Sequence, residues 1–323
     1  MRVVAALGGN ALLRRGEPAE AELQRRHVAE AARSLAELAR EHELIVTHGN
    51  GPQVGLLALQ SAAYSDVTPY PFDVLGAESE GMIGYLLEQA LRNELPDRQV
   101  AALLTQVLVD RADPAFATPT KPIGPVYDEA TAHRLAGDRG WAVERDGDSW
   151  RRVVPSPEPQ SIIELETIMT LVDLGAIVIC AGGGGIPVVK NGAGRLHGIE
   201  AVIDKDLSAA LLALELKADA LLLLTDVDGI QLDYGTPSAR PLRRATPAEI
   251  AALDLPAGSM GPKAEAACRF VRGGGELAAI ASLDSAGAAL DGNAGTTVRD
   301  AQLDIGRKEK RDGSEVGIPG GSP

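Results

Sequence analysis

The chain predicts an α/β fold, a three-layer αβα sandwich with an open, mainly parallel central sheet and a small inserted lid subdomain. Three observations carry this reading. Short and almost continuously apolar runs recur, helical patterns separate them, and glycine-rich turns follow several of the runs. A run without a polar face suits a strand covered on both sides. Strands that alternate with helices suit crossovers, which make neighbouring strands parallel.

The strand-like runs are 2–7, 43–47, 100–109, 176–181, 218–225 and 276–283. Helix candidates lie between them. The first, 20–41, repeats Leu23, Val28, Ala31, Leu35 and Leu38, and the second, 73–95, repeats Leu75, Met82, Leu86, Ala90 and Leu91. A third, 160–174, carries Ile163, Ile168 and Leu171, and 205–217 and 262–272 complete the set. These spacings place the apolar side chains on one helical face. The stretch 111–159 breaks the rhythm. It is rich in Pro, Asp and Arg, contains Pro119-Thr120-Lys121-Pro122-Ile123-Gly124-Pro125, and is too long for a simple loop. We expect one domain over 1–299 with the lid at about 111–159. The polar stretch 300–323 has too little apolar surface to order itself and is expected to be a flexible tail.

Composition narrows the function. Of 323 residues, 45% are hydrophobic and 24% charged, ordinary globular values. Net charge is −14, which argues against a nucleic-acid partner because a phosphate-backbone binder should be basic. Aromatics are 3%, too few for a surface that stacks bases. A small anionic substrate needs only a local positive pocket. No apolar run approaches the ~18 residues of a membrane span, and the first run is too short for a signal-peptide core. The two cysteines, Cys180 and Cys268, form no CxxC pair, and Cys180 reads as buried and inert. Their scarcity fits a reducing cytoplasm.

Three glycine turns carry the chemical signal. Leu7-Gly8-Gly9-Asn10-Ala11-Leu12 follows the first run. Thr47-His48-Gly49-Asn50-Gly51-Pro52-Gln53-Val54-Gly55 follows the second, and Ala181-Gly182-Gly183-Gly184-Gly185-Ile186-Pro187 the fourth. In a parallel sheet such turns lie at the carboxyl ends of strands, where ligands bind. Glycine lets backbone approach a ligand, and N–H groups at a helix start attract anions. Three such turns in one alternating chain favour an anion or nucleotide site over plain tight turns. There is no GxxxxGK[ST], no well-placed GxGxxG, no zinc spacing and no G-x-S-x-G elbow.

Lysine is scarce, at positions 121, 190, 205, 217, 263, 308 and 310 only. Lys205, in Ile203-Asp204-Lys205-Asp206, and Lys263, in Gly258-Ser259-Met260-Gly261-Pro262-Lys263, both stand at predicted helix starts. A cation is unfavourable beside the positive end of a helix dipole unless an anion faces it. Phosphate contact is therefore favoured for both over solvated surface charge. Lys121 sits between prolines that would aim it, whereas Lys190, Lys217, Lys308 and Lys310 read as surface residues. Thr225-Asp226-Val227-Asp228-Gly229 ends a very apolar run, and its aspartates suit either a ligand or a stabilised turn.

Taken in order, these motifs resemble the carbamate kinases, of the amino-acid-kinase (acetylglutamate-kinase-like) superfamily, from about residue 3 to residue 298. Arg152-Val153-Val154-Pro155-Ser156-Pro157 belongs to the same set. Relatives in the wider fold usually carry a lysine just before the first Gly-Gly. Leu7 stands there in this chain, as in carbamate kinases, which take a lysine from the inserted lid instead, and Lys121 matches it. The resemblance implies reversible phosphoryl transfer between ATP and carbamate with Mg2+ bound to ATP or ADP, in a cytoplasmic homodimer paired through the first half of the chain. It implies that Gly8, Gly9, Asn10, Gly49, Asn50 and Gly51 cradle the carbamoyl and phosphoryl groups. Lys121, Lys205 and Lys263 would neutralise the transferring phosphoryl, and Asp206 would hold lysines in place. Thr225, Asp226, Gly258, Ser259 and Met260 would lie near the nucleotide, and no residue is implied as a protein metal ligand. The alternatives are a kinase of the same fold for another small acid and a nucleotide-binding regulator without catalysis.

Overall fold

The computed structural model describes residues 1–9, 12–13, 17–64, 66–256 and 260–300. From the amino terminus, β1 (Arg2–Leu7) and α1 (Ala21–Glu41) lead to β2 (Glu43–His48), α2 (Gly51–Ala63) and α3 (Phe72–Glu94). The chain continues through β3 (Val100–Ala102) and β4 (Gln106–Val109) to β5 (Lys121–Tyr127), α4 (Glu129–Arg139), β6 (Ala142–Asp146) and β7 (Ser149–Val154). Next come β8 (Pro159–Ile162), α5 (Leu165–Asp173), β9 (Ile177–Ile179), β10 (Ile186–Lys190), β11 (Leu196–Gly198), α6 (Lys205–Glu215) and β12 (Ala220–Thr225). The last third holds β13 (Gln231–Leu232), β14 (Arg240–Pro241), β15 (Arg244–Ala245), α7 (Pro247–Ala251), α8 (Met260–Arg272), β16 (Leu277–Ser282), α9 (Ala286–Leu290) and β17 (Thr296–Val298).

The main sheet runs β15-β17-β16-β12-β1-β2-β9-β3, and every pairing is parallel except β16 with β17. Alternation along β1 explains the layers. Val3, Ala5 and Leu7 pack on one side with Leu35 of α1 and Ile83 and Leu87 of α3. Val4 and Ala6 pack on the other with Ile168 of α5, Leu212 of α6 and Phe270 of α8. Both faces are covered, so the strands carry no polar side, and the expected αβα sandwich is present. Helix α1 buries Val28, Ala31, Ala32, Leu35 and Leu38, the stripe read from its spacing. Each large aliphatic side chain so buried contributes ~1.5–3 kcal/mol.

Two sequence expectations need correction. The run 100–109 is not one strand. It contributes β3 to the edge of the main sheet and then β4 to a second sheet, ordered β11-β10-β4-β8. The break falls where two carboxylates take the backbone: buried Glu80 accepts the Thr105 N–H at 3.2 Å, and half-buried Glu164 accepts the Gln106 N–H at 2.7 Å. The helix expected over 160–174 starts only at Leu165, because 159–162 pairs antiparallel with β4 instead. Apolar spacing over a few residues does not separate a buried strand from a helical turn.

Strands β5, β7 and β6 form their own antiparallel sheet, with α4 packed against it. This unit rests on a small apolar cluster: Ile123 and Val154 from its strands, Val54 of α2, Phe72 and Leu75 of α3, and Val202. Beside the cluster the backbones of α2 and β5 touch. A Cβ added at Gly55 would lie 2.3 Å from the Cα of Gly124, itself left-handed at φ +68°. Neither backbone can yield without moving the whole unit. Gly55→Ala is expected to lower stability by about 1–3 kcal/mol, as overpacking does, in a urea titration. A wild-type midpoint would mean that the contact is soft.

Candidate active site

The site forms where the carboxyl ends of β1 and β2 meet the start of α6. Asp204 is the N-cap of α6, and its Oδ1 accepts the N–H groups of Asp206 at 2.9 Å and Leu207 at 3.3 Å. That bond satisfies donors at the helix start and fixes the next residues. Lys205 and Asp206 follow in the first turn, and Lys263 arrives from the first turn of α8. The Asp206 carboxylate accepts from Lys205 Nζ at 2.5 Å and from Lys263 Nζ at 3.1 Å. The other Asp204 oxygen accepts from Lys121 Nζ at 2.5 Å, so the third lysine reaches the cluster from β5. Three ammonium groups thus share two carboxylates at the positive end of a helix, an excess of positive charge suited to an anion. The carboxylates offset the cost of cations at the helix start, a cost that the sequence argument assigned to a bound anion alone.

Glycine turns bring backbone against this cluster. The Gly49 N–H donates to Leu7 O at 3.0 Å, and the Gly8 N–H donates to Leu224 O at 2.8 Å, which ties the first two turns to the strand ends. A Cβ at Gly49 would lie 2.9 Å from Gly9 N and 3.3 Å from Lys205 Cδ. Gly51 opens α2, and its N-cap, Asn50, instead donates from Nδ2 to Ser79 Oγ at 2.8 Å. The third turn stands behind Asn50: a Cβ at Gly183 would fall 2.1 Å from Asn50 Nδ2. Thr225 ends β12, and its hydroxyl donates to Asp226 Oδ1 at 3.0 Å. Met260 opens α8. Thus Gly8, Gly9, Gly49, Asn50, Lys121, Lys205, Asp206 and Lys263 converge, and Thr225 adjoins Gly8. Asn10, Gly258 and Ser259 lie outside the described residues, as does the stretch 301–323.

Sequence reasoning passed over a polar layer beneath the turns. Glu80 of α3 is buried and accepts the Gly182 N–H at 2.8 Å besides that of Thr105. Burial pushes its carboxyl up to about 8, against the lowering by those N–H groups. His48 is fully buried, with Nδ1 3.2 Å from Gly49 O. Burial takes its pKa down to about 4, with Lys205 adding to the fall, so the ring is neutral at pH 7. Ser208 Oγ donates to Gly184 O at 2.7 Å and joins α6 to the third turn. One signal was present in the sequence: Glu80 lies on the α3 stripe that also buries Ile83, Leu87 and Leu91. A carboxylate on a buried stripe needs partners. The pairing of Asp204 with Lys121 had no such signal.

Burial alone would raise the Asp206 carboxyl, yet Lys205 and Lys263 hold it at about 2 against an ordinary 3.8. Burial also pulls the Lys205 ammonium below its usual range, opposed by Asp206 and aided by Lys263. Because the Asp206 pKa is depressed on folding, its charge contributes stability above pH 3.8, and that part is lost as the pH falls through about 2. Asp206→Asn takes the buried carboxylate away from two partly buried ammonium groups. It should cost about 3–5 kcal/mol at pH 7 and flatten the acid limb of a stability–pH profile. An unchanged acid limb would refute this account of the cluster.

Comparison with known proteins bears on the same arrangement. The model of the amino acid kinase family matches residues 1–282. A carbamate kinase of Rhizobium meliloti is 53% identical, covering 94% of this chain and 95% of its own length. One from Haemophilus influenzae is 52% identical, over 92% and 96%. The structure of a carbamate kinase from Giardia lamblia bound to AMP-PNP matches with a TM-score of 0.84 at 41% identity, over 92% of this chain and 98% of that one. With likeness running nearly end to end in sequence and in structure, the chain belongs to the amino acid kinase family and, within it, to the carbamate kinases.

Proposed function

We propose that the protein transfers a phosphoryl group reversibly between ATP and carbamate, and that it works mainly toward ATP from carbamoyl phosphate and ADP. The observation that carries this reading is the cluster of Lys121, Lys205 and Lys263 on Asp204 and Asp206, facing the glycine turns. Phosphoryl transfer asks for alignment and charge neutralisation rather than covalent chemistry by the protein. The three lysines meet the equatorial oxygens of the moving phosphoryl. Asp204 and Asp206 keep the ammonium groups in position before substrate binds, so little reorganisation is left for the reaction. Gly8, Gly9, Asn10, Gly49, Asn50 and Gly51 hold the carbamoyl and phosphoryl groups. The bare backbone of Gly8, Gly9 and Gly49 and the N–H groups at the start of α2 support that role. Thr225, Asp226, Gly258, Ser259 and Met260 border the nucleotide.

The family implies Mg2+. Among the described residues no group of three or more His, Cys, Asp or Glu could hold a metal ion. The carboxylates nearest the lysines, Asp204 and Asp206, are already engaged by ammonium groups. These residues do not fit a protein-held Mg2+, and we assign the ion to the nucleotide phosphates. The β5–β7 unit is read as a lid that carries Lys121 onto the phosphoryl and excludes water. The AMP-PNP bound by the Giardia lamblia relative supports a nucleotide partner here. A homodimer is proposed through the first half of the chain, supported by Met82, Tyr85 and Leu104, exposed around the edge strand β3. A cytoplasmic location is proposed as well. Both free cysteines are buried, and no helix among the described residues is long and apolar enough to cross a membrane.

The test is ATP formation from ADP, Mg2+ and carbamoyl phosphate, beside acetyl phosphate and an enzyme-free control. Fast turnover on carbamoyl phosphate alone supports the reading. Faster turnover on acetyl phosphate points to another small acid, and nucleotide binding without any turnover points to a regulator. Lys121→Ala should lower kcat at least about 100-fold, the loss typical of one removed charge-stabilising donor; a kcat near wild type would remove Lys121 from the mechanism. Lys205→Met should cost rate far more than stability. A loss of folding equal to the loss of rate would mark Lys205 as structural.

A further inference from the structure

Arg152 belongs to a motif noted in the sequence, yet nothing above gives it a task. It lies on β7 opposite Ile123, two residues from Val154, which pairs with Lys121. Two residues along a strand span about 7 Å, so Arg152 and Lys121 ride on one rigid patch of the small sheet. The Arg152 guanidinium carbon sits 4.7 Å from the ring centre of Phe72, at the first residue of α3 in the main body. It also sits 4.5 Å from the ring centre of Trp141, which belongs to the β5–β7 unit. One cation therefore bridges two aromatic rings, one on each side of the junction.

Glu200 completes the contact. One carboxylate oxygen accepts the Phe72 N–H at 3.0 Å at the start of α3. The other lies 3.7 Å from Arg152 Nη2, longer than a hydrogen bond. Arg139 also lies over Trp141, at 5.0 Å, and Tyr127 and Arg139 complete the charged and titratable neighbours of Arg152. The attraction therefore rests mainly on stacking, which a planar cation provides and an ammonium does not. A cavity of about 530 Å³ opens beside it, bordered by Ala58 and Tyr70 from the body and Arg139 from the unit. On this side the junction is packed by its small apolar cluster and by Arg152, with open space beside them, while the Lys121–Asp204 ion pair and the Gly55–Gly124 contact hold the β5 side.

We infer that Arg152 is a positioning residue for the phosphoryl transfer: its stack between Phe72 and Trp141 sets the angle of the β5–β7 unit, and through that angle the place of Lys121. The consequence for catalysis rests on the function proposed above; the angle itself does not. Arg152 touches no reacting group, and it acts through the register that it shares with Lys121.

Two measurements on the full-length protein test this. The first needs no activity. Spin labels on cysteines introduced at Asp148, in the unit, and Glu41, in the body, report the distance between them, and both native cysteines are buried. Wild type should give one narrow distance distribution, and Arg152→Ala and Arg152→Lys should broaden or shift it. A distribution unchanged by Arg152→Ala overturns the inference even if the protein proves inactive. The second measurement is kinetic. Arg152→Ala should lower kcat and raise KM for carbamoyl phosphate, each about tenfold, and leave KM for ADP within about twofold, because Lys121 acts on the transferring phosphoryl and the nucleotide is assigned to other elements. Arg152→Lys should not restore them. Equal changes in both KM values, together with a lowered thermal midpoint, would make Arg152 merely structural. If Arg152→Ala does not fold, Trp141→Leu decides: it removes one ring of the stack and leaves the apolar cluster intact, and a broadened distance supports the inference while an unchanged one overturns it. Wild-type protein that is inactive on carbamoyl phosphate would count against the proposed function, and the distance measurement would still judge Arg152.

Discussion

The structure depends on keeping like charges together at the end of a sheet. Lys121, Lys205 and Lys263 come from three different elements and would repel one another in a partly dry pocket. Asp204 and Asp206 make the arrangement stable. They sit on successive sides of Lys205 at the start of α6, where the helix itself favours negative charge. Asp204 caps the helix with one oxygen and reaches across to β5 with the other. Two carboxylates in one short segment thus bind the helix, α8 and the inserted unit into one site.

The glycine turns answer to the same constraint from the other side. A cation cluster helps an anion only if backbone can come close, and each turn meets its neighbour at a distance that no side chain allows. Gly49 lies against Gly9, Gly183 against Asn50, and Gly184 against the carbonyl of Ile203. The polar layer beneath holds these turns without side chains of their own. Glu80 accepts a backbone N–H of the third turn, and Ser208 donates to one of its carbonyls. Buried polar groups that hold one another in this way specify a single arrangement, since any slip would leave a donor or acceptor unpaired.

The β5–β7 unit is held in a different manner. It shares no strand pairing with the main sheet, and its contact with the body is a handful of apolar side chains, one stacked arginine, the close approach of Gly55 to Gly124 and the Lys121–Asp204 ion pair. A small interface of this kind has a low free-energy cost of opening compared with the core of the main sheet, both faces of which are covered. The main body and the β5–β7 unit are therefore joined by different physics: whole covered sheet faces hold the body, while a small apolar cluster, one stacked arginine and one ion pair hold the unit to it.

The sequence by itself determined the layered fold, because apolar runs without a polar side and one-sided helices admit few other packings; β1, β2, β12 and β16 fall within one or two residues of where their runs place them. It also singled out the glycine turns and the scarce lysines, whose residue types are costly in those positions unless something compensates. Tertiary structure alone decided the rest. The run 100–109 divides because two carboxylates distant in sequence, Glu80 and Glu164, take the N–H groups of Thr105 and Gln106. Lys121 finds Asp204 across 83 positions of chain, and Arg152 on β7 finds Phe72 at the start of α3. Local periodicity records which face of a segment is buried, but partners far apart in the chain are chosen only when the whole fold closes and each buried charge must have one.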